Sequence, residues 1–534
     1  MDAARPGKFT RWSGISIKCR ENPMSRLLRS IPLLLALALA AAAETRTVTI
    51  LHTNDLHGAL LPQSEFETSG ARKPDRGGVA RLATAIAAER EAAAKEGRPV
   101  LLLDAGDCFH GTPEGNETKG EAAIAWMNFA KYDAMAIGNH EWAYGDKNLA
   151  QLAGMAKFPF LTCTVTRVDP AATVAAIVEY AKPYVVIKAG DVRIAIVGFT
   201  TSGTPNMNLP EHVQALDFGP DYGPQGAFYM KRARTEADIV IALTHLGSQS
   251  DVRLAEKAPG WDLIVGGHDH REFPKGFERG GTLIVQAGCD GASLGRVDLK
   301  YDTETRKVTS REARLIAIDA TLKEDPAAAE VVKKYVRADL DKPAGATAAF
   351  IGRGQESPLG MLVADGIRIA ANADAAFINS GGIRNDLPAG PVTGRDLYMA
   401  APFEDTLVVF SITGADLRTL LDGAFREGRL DYPVSGLQFS VDSKKPAGQR
   451  ILGLKVGDQP LDPAKTYTLA STRFAANRLA ADAAGKKVLG PPEEPRVPRK
   501  DLATTLQAAL LRRFEGGAIV PPPEPGRVTF VTRR

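Results

Sequence analysis

The sequence predicts an α/β (α+β) protein with a layered N-terminal α/β domain, a connecting helix and a second α/β domain. A chain of 534 residues is too long for a single hydrophobic core. Its content of 44% hydrophobic and 24% charged residues is typical of globular proteins. Short apolar strands alternate with amphipathic helices from Glu44 to about Asp319, which indicates a sheet buried on both faces.

Residues 1–43 are predicted to be an upstream extension followed by a secretory signal peptide. Met24 begins a basic segment, an apolar run follows from Ile31, and small residues precede a cleavage site after Ala43. The apolar run is too short to span a membrane. The chain has a formal charge of +3, but residues 1–43 hold seven Lys or Arg and two Asp or Glu, so the remainder carries −2. We therefore expect a periplasmic or secreted protein without a nucleic-acid partner or a stable membrane span.

Hydrophobic periodicity predicts the elements of the N-terminal domain, residues 44–320. A helix over Gly78–Lys95 has an apolar face, formed by Val79, Leu82, Ala83, Ile86 and Ala87. Two strands, Tyr184–Lys188 and Val192–Phe199, are predicted to form a hairpin. Further apolar runs predict strands: Val48–Leu51, Pro99–Leu103, Ala134–Ile137, Asp238–Leu243, Asp262–Val265, Leu283–Gln286 and Arg296–Tyr301.

A single amphipathic helix from about Leu322 to Pro343 is predicted to link the domains, with boundaries at residues 321–344. The C-terminal domain, residues 345–534, has its own strand and helix pattern. A helix is predicted over Leu359–Asn372, and a strand leads from it towards Asn379. This second unit is therefore predicted to have its own core.

Polar side chains that can bind metal ions follow five of the predicted strands. In open α/β sheets the carboxyl ends of parallel strands meet at one edge, so these groups are expected to converge. They are Asp55 and His57, Asp107, Asn139 and His140, His245, and His268 and His270. Each motif alone is explained by a helix cap or a loop contact, but five together are not. Their nitrogen and oxygen donors suit divalent Mn, Zn, Fe or Co.

The ligand types can be divided between two ions. Asp55, His57 and His270 are assigned to one ion, and Asn139, His245 and His268 to the other. Asp107 is expected to bridge them, as in sites where two metals about 3.5–4 Å apart act on phosphate esters. Of the remaining histidines, His52 is predicted to be structural, His110 lies within reach of the site, and His212 has no supporting context. Three cysteines outside the leader are predicted to be small buried side chains: Cys108, Cys163 and Cys289.

These motifs resemble, in order and type, those of calcineurin-like metallophosphoesterases. From Thr47 to Phe530 the chain is similar to 5′-nucleotidases and UDP-sugar hydrolases, which are related to 2′,3′-cyclic-nucleotide phosphodiesterases. The resemblance implies a metallophosphoesterase sandwich facing a substrate-binding domain that rotates against it. It implies that the seven residues assigned above are metal ligands and that His140 is catalytic without binding metal. It also matches Asn379, Arg384 and Phe403 to substrate-binding positions.

The chain departs from the family pattern in two places. The family often has an Asp three residues after the catalytic histidine, where this chain has Ala143, and a second base-stacking aromatic for which Phe474 is the candidate. Three functions stay open on this basis. The first is hydrolysis of nucleotides by a hydroxide held on the metal pair. The second is the same chemistry on a non-nucleotide, cyclic or thiosulfate-type substrate, and the third is a catalytically silent ligand-binding protein. Oligomeric state is not predicted.

Overall fold

Two six-stranded sheets face each other in the N-terminal half of the molecule. The computed structural model describes residues 44–67, 69–168, 176–220, 224–353, 357–426, 429–479, 489 and 496–531, so the predicted signal peptide lies outside the described residues. The first sheet has its strands in this spatial order: Lys307–Ala317, Ser293–Asp302, Thr45–Thr53, Val100–Asp104, Ala134–Ala136 and Phe160–Leu161. The second has this order: Phe277–Arg279, Thr282–Val285, Leu263–Val265, Ile239–His245, Val192–Thr200 and Tyr184–Ala189.

A single apolar layer fills the space between the two sheets. It joins alternate residues of the first sheet, such as Ile50 and Leu103, to Ile196, Ile241 and Val265 of the second. Alternation follows from the two-residue period of a strand, which sends every second side chain to the same face. The opposite faces are covered by helices, which include Val79–Lys95, Glu121–Ala130 and Asp146–Met155 on the first sheet and Pro224–Glu236 and Ser248–Lys257 on the second. The predicted fold class is confirmed, and the two sheets form the sandwich that the resemblance implies.

Several predicted elements are confirmed with small shifts at their ends. Tyr184–Ala189 and Val192–Thr200 pair as an antiparallel hairpin. In the Val79–Lys95 helix, Ala87 is exposed and Ala85 is buried, so the prediction for Ala87 is wrong. Ala87 lies about 100° round the helix from Ile86, which moves it off the face that contacts the sheet.

The predicted linker helix is wrong in length. The segment contains a shorter helix, Pro326–Lys333, followed by a 3-10 turn over Ala338–Asp341. The Asp325 side chain caps its first turn by accepting from the Ala328 amide at 2.8 Å. The next strand, Pro343–Thr347, pairs with Gly390–Thr393, so the segment joins the C-terminal sheets by residue 343. The domain boundaries at residues 43, 320 and 344 stay predictions.

The C-terminal half is built on a five-stranded sheet and two smaller sheets. The five strands follow this order: Val434–Ser435, Ala375–Phe377, Thr466–Thr472, Thr406–Thr413 and Arg499–Thr505. The smaller sheets comprise Gln459–Pro460, Ile451–Val456, Leu437–Val441 and Val528–Phe530, and Gly390–Thr393, Pro343–Thr347 and Ile519–Val520. One continuous core packs these strands against helices, chiefly Pro358–Ala371, Gly414–Ala424 and Leu506–Leu511. This half therefore has a hydrophobic core of its own.

Two further sequence expectations concern single elements. Cys108 and Cys163 are buried, Cys289 is partly buried and all three are free, as predicted. His52 is buried inside its strand against Gly295, also as predicted, and burial lowers its pKa to about 3. None of the helices in the described ranges is both long and apolar enough to cross a bilayer.

Gly106→Ala is expected to lower the free energy of unfolding by about 2–4 kcal/mol. A methyl group there would lie 2.6 Å from the Gly138 nitrogen, and the Gly106 backbone has a φ of 92°. Urea unfolding measures the loss. Gly97→Ala is the control, because Gly97 also has a positive φ (66°) but no described atom lies within 4 Å of the added methyl. Equal losses in the two variants would show that close approach at Gly106 is unimportant.

Candidate metal centre

The loops that follow the first two central strands pair with each other through their backbones. The Asp55 amide donates to the Gly106 carbonyl, and the His57 amide donates to the Asp107 carbonyl, each at 2.9 Å. Five residues of the predicted ligand set hold left-handed backbone conformations, with φ values of 52° at Asp55, 48° at His57, 58° at Asp107, 87° at His268 and 55° at His270. Such conformations cost free energy in non-glycine residues and are concentrated at functional sites.

The structure brings the predicted ligand residues together at the carboxyl edge of both sheets. In one group, Asp55, His57 and His270 have ligand atoms within 4.8 Å of one another. Asp107, His245 and His268 form a second such group, and Asp107 and His57 form a third with His140. The closest approaches are 3.0 Å between the Nε2 atoms of His57 and His270 and 3.0 Å between His245 Nε2 and Asp107 Oδ2. Asp107 therefore belongs to two of the three groups, and one of these shares His57 with the remaining group.

Hydrogen bonds fix the orientation of two imidazoles in this cluster. His245 Nδ1 lies 2.8 Å from the Ala105 carbonyl, and His57 Nδ1 lies 3.1 Å from the His110 carbonyl. Because a carbonyl only accepts, each Nδ1 carries a proton, and each Nε2 faces the other members of the cluster. Asp55 Oδ1 and Asn139 Oδ1 are buried and have no hydrogen-bond partner within the described part of the chain. Buried oxygen atoms that accept no hydrogen bond are suited to coordinate a divalent cation.

Opposite charges inside the cluster compensate its burial. Burial raises the pKa of the Asp55 carboxyl, but His270, whose Nε2 lies 3.4 Å from Asp55 Oδ1, and the nearby His245 outweigh it and bring that pKa to about 2. Burial lowers the pKa of His245, yet Asp107 and Asp55 together raise it to about 10. Two buried carboxylates thus draw positive charge into the site.

Glu141 connects two of the ligand-bearing loops. This fully buried carboxylate accepts hydrogen bonds from the backbone amides of Gly138 (2.6 Å), Asp107 (3.0 Å) and Cys108 (2.8 Å). The His140 amide in turn donates to Asp107 Oδ1 at 2.7 Å. Asn139 is held from outside, since Asn208 Nδ2 donates to its carbonyl at 2.9 Å. Asn208 lies in a loop without a recognisable motif, so no sequence signal pointed to it.

His140 has a partner that the sequence analysis left open. Its Nδ1 lies 2.8 Å from Nδ1 of His110, while its Nε2 lies 4.0 Å from Asp107 Oδ2. Phe403 of the C-terminal half stacks on the His140 ring, with centroids 5.9 Å apart and planes inclined by 6°. The predicted catalytic histidine and a predicted substrate residue are therefore in contact.

A cavity of about 920 Å³ extends from the cluster into the C-terminal half. The predicted substrate residues Asn379, Arg384 and Phe403 all line it, and Phe474 lines it with them. The Arg384 guanidinium lies 5.1 Å from the centre of the Phe403 ring, and its Nε has no hydrogen-bond partner among the described residues. His212, which has no supporting context in the sequence, also lines the cavity. Its neighbour Glu211 forms a salt bridge across the domains with Arg473, with a separation of 2.5 Å.

Comparisons with known proteins agree with this architecture. A family model described as calcineurin-like phosphoesterase matches residues 48–272, which contain the whole ligand cluster. A second, described as 5′-nucleotidase, C-terminal domain, matches residues 338–480, which contain Asn379, Arg384 and Phe403. Fold and site together define a phosphoesterase with candidate groups for divalent metals.

The relatives narrow this class to a family. The chain is 30% identical to the snake venom 5′-nucleotidase of Naja atra over 484 residues, which are 80% of this chain and 90% of that protein. It is 29% identical to protein UshA of Yersinia enterocolitica over 496 residues, 82% and 86% of the two chains. The crystal structure of a 5′-nucleotidase precursor from Thermus thermophilus superposes with a TM-score of 0.76 at 26% identity, covering 91% and 100%. The chain belongs to the 5′-nucleotidase family and is a phosphoric ester hydrolase.

Glu141→Gln is expected to lower the melting temperature and the amount of divalent metal retained after purification. The amide has one acceptor oxygen in place of two, so at least one of the three amides loses its partner, at a cost of about 2–4 kcal/mol. Differential scanning calorimetry and elemental analysis measure the two effects. Glu91→Gln is the control, since Glu91 is an exposed residue of the Val79–Lys95 helix. A Glu141→Gln variant with unchanged melting and metal content would contradict this role.

Proposed function

We propose that this protein is an exported 5′-nucleotidase that releases phosphate from nucleotides with the help of two divalent cations, Mn, Zn, Fe or Co. The observation that supports this most is the position of the ligand cluster at one end of a cavity whose other wall carries Asn379, Arg384 and two aromatic rings. The names of the Naja atra and Thermus thermophilus relatives support a nucleotide substrate. Export is supported by the leader sequence and by the venom origin of one relative.

In this proposal the ligand set divides as the strand-end motifs suggest. Asp55, His57 and His270 would hold one cation, Asn139, His245 and His268 would hold the other, and Asp107 would be shared between them. Bound divalent cations supply Lewis acidity towards the phosphoryl oxygens and lower the pKa of coordinated water. The short approach of Asp107 to His245 and its membership of the second and third groups support the bridging role.

The remaining residues act on the ester itself. Arg384 presents a forked cation to the oxyanions of the substrate, and Asn379 offers an amide for hydrogen bonding. Phe403 supplies an aromatic face for the base, with Phe474 on the same cavity as the candidate for the other face. His140 stabilises the charge that develops on the leaving oxygen or protonates it. Burial lowers the pKa of His140, so nearby negative charge is needed for its ring to carry a second proton.

Asp107→Asn is expected to reduce phosphate release from adenosine 5′-monophosphate by at least about 1000-fold. An amide lacks the charge needed to bridge two cations, so metal content should also fall. Phosphate release with added manganese or zinc and elemental analysis measure these effects. Asp217→Asn is the control, because Asp217 is exposed on the Leu216–Phe218 strand. Full activity of Asp107→Asn would exclude the dimetal mechanism, and a wild type that hydrolyses no phosphoester would favour a binding protein.

Arg384→Ala is expected to raise KM for adenosine 5′-monophosphate about 10–100-fold and KM for p-nitrophenyl phosphate far less. The guanidinium lies over Phe403, so its loss should disturb contacts to the ribose and base as well as to the phosphate, whereas p-nitrophenyl phosphate loses only the phosphate contact. Arg384→Lys keeps the charge but loses the fork, so an intermediate KM is expected. Equal increases for both substrates would argue against a nucleotide pocket at Arg384 and for a non-nucleotide ester.

A further inference from the structure

The position of Ala143 leaves His140 without the carboxylate that related enzymes often place there. An alanine methyl group neither donates nor accepts a hydrogen bond. Glu141 does not fill the gap, because its carboxylate is occupied by the amides of Gly138, Asp107 and Cys108. The nearest polar group at the His140 Nδ1 atom is the imidazole of His110, whose Nδ1 lies 2.8 Å away.

Hydrogen bonds and ring contacts hold the loop that carries His110 in place. The Gly111 amide donates to Oδ1 of Asn116 at 2.9 Å, and Asn116 is fully buried. Aromatic rings enclose the His110 side chain, with Tyr144 at 5.6 Å and perpendicular, and Phe403 at 5.0 Å. The His110 carbonyl separately accepts from His57 Nδ1. Its side chain is therefore free to serve His140 while its backbone serves the ligand cluster.

We infer that His110 is a positioning residue that fixes the tautomer and orientation of the His140 imidazole, in place of a carboxylate. This inference rests on the proposed function of His140. Either role proposed for His140 is performed by the imidazolium form, which carries one proton on Nδ1 and one on Nε2, the atom that faces Asp107. When the P–O bond to the leaving group breaks, that proton passes to the leaving oxygen. His140 is then a neutral imidazole whose remaining proton, on Nδ1, is donated to Nδ1 of His110.

An imidazole in this place differs from a carboxylate in charge. A carboxylate would add a negative charge beside Asp55 and Asp107, both fully or almost fully buried. A neutral His110 accepts the same hydrogen bond without that addition. The chain thus orients His140 while leaving the electrostatic balance of the cluster to the metal ligands.

The test compares His110→Leu with His110→Asn, since the two side chains have similar size but only Asn offers an acceptor oxygen. His110→Leu is expected to lower kcat for adenosine 5′-monophosphate about 10–100-fold, because the nucleoside alkoxide of this ester is a poor leaving group that needs protonation. The kcat for p-nitrophenyl phosphate should change less than about 3-fold, because p-nitrophenolate is a good leaving group and departs with little protonation. KM and metal content should stay near the wild-type values, and His110→Asn should recover most of the lost kcat.

A double-mutant cycle separates positioning from general damage. If His110 acts through His140, then His110→Leu should have little further effect in a His140→Ala background. Additive losses, equal losses on both esters, or no recovery in His110→Asn would each overturn the inference. His212→Asn is the control, as a histidine of the same cavity for which no contact with His140 is seen among the described residues. It should leave the ratio of the two rates unchanged.

A second measurement decides the inference without relying on turnover. Nitrogen-15 chemical shifts of the His140 ring report which nitrogen is protonated. We expect the Nδ1–H tautomer in the neutral ring of the wild type and His110→Asn, and a mixture of tautomers in His110→Leu. The same tautomer in all three would overturn the role of His110. A metal-loaded wild type that hydrolyses neither ester would contradict the proposed function alone.

Discussion

Burial of the Asp55 and Asp107 carboxylates among imidazoles is the constraint on which the rest of the site depends. Two negative charges are costly inside a protein unless cations or protonated groups accompany them. The two carboxylates lie at the edge where loops from both sheets bring the ligand residues together. Asp55, His57 and Asp107 also have left-handed backbone conformations. Packing of the two sheets and the Glu141 carboxylate hold this arrangement, because neither strained loop would keep its conformation alone.

The C-terminal half completes the site through contacts with the loops of the first. Asn116 is central to this contact. Its Oδ1 accepts a hydrogen bond from the Gly111 amide, and its Nδ2 donates to the Tyr398 hydroxyl (3.0 Å) and the Pro402 carbonyl. Phe403 follows Pro402 directly and covers His110 and His140. The placement of the substrate-side aromatic and of the two histidines is therefore coupled through one buried amide.

Sequence reasoning succeeded where chemistry repeated at a regular structural position. Asp55, Asp107, His245 and His268 each follow a predicted strand, and the sheet edge brings them together with Asn139, which lines the same cavity as Asp107 and His268. It failed where a segment depended on its neighbours. The linker is predicted as one helix to Pro343, but the helix that forms ends at Lys333, and the chain passes through a 3-10 turn over Ala338–Asp341 into the strand Pro343–Thr347. The prediction for Ala87 is wrong for a different reason, because Ala87 lies at the border of the apolar face of its helix and is exposed.

The sequence by itself determined the class of chemistry, since the donor types and their order after successive strands need no coordinates to interpret. Only the tertiary structure decided which groups touch. The contact between His110 and His140 joins two loops 30 residues apart, and the contact of Phe403 with both joins loops from different halves of the chain. Such pairings depend on side-chain rotamers and on the relative position of packed layers, which local periodicity does not encode.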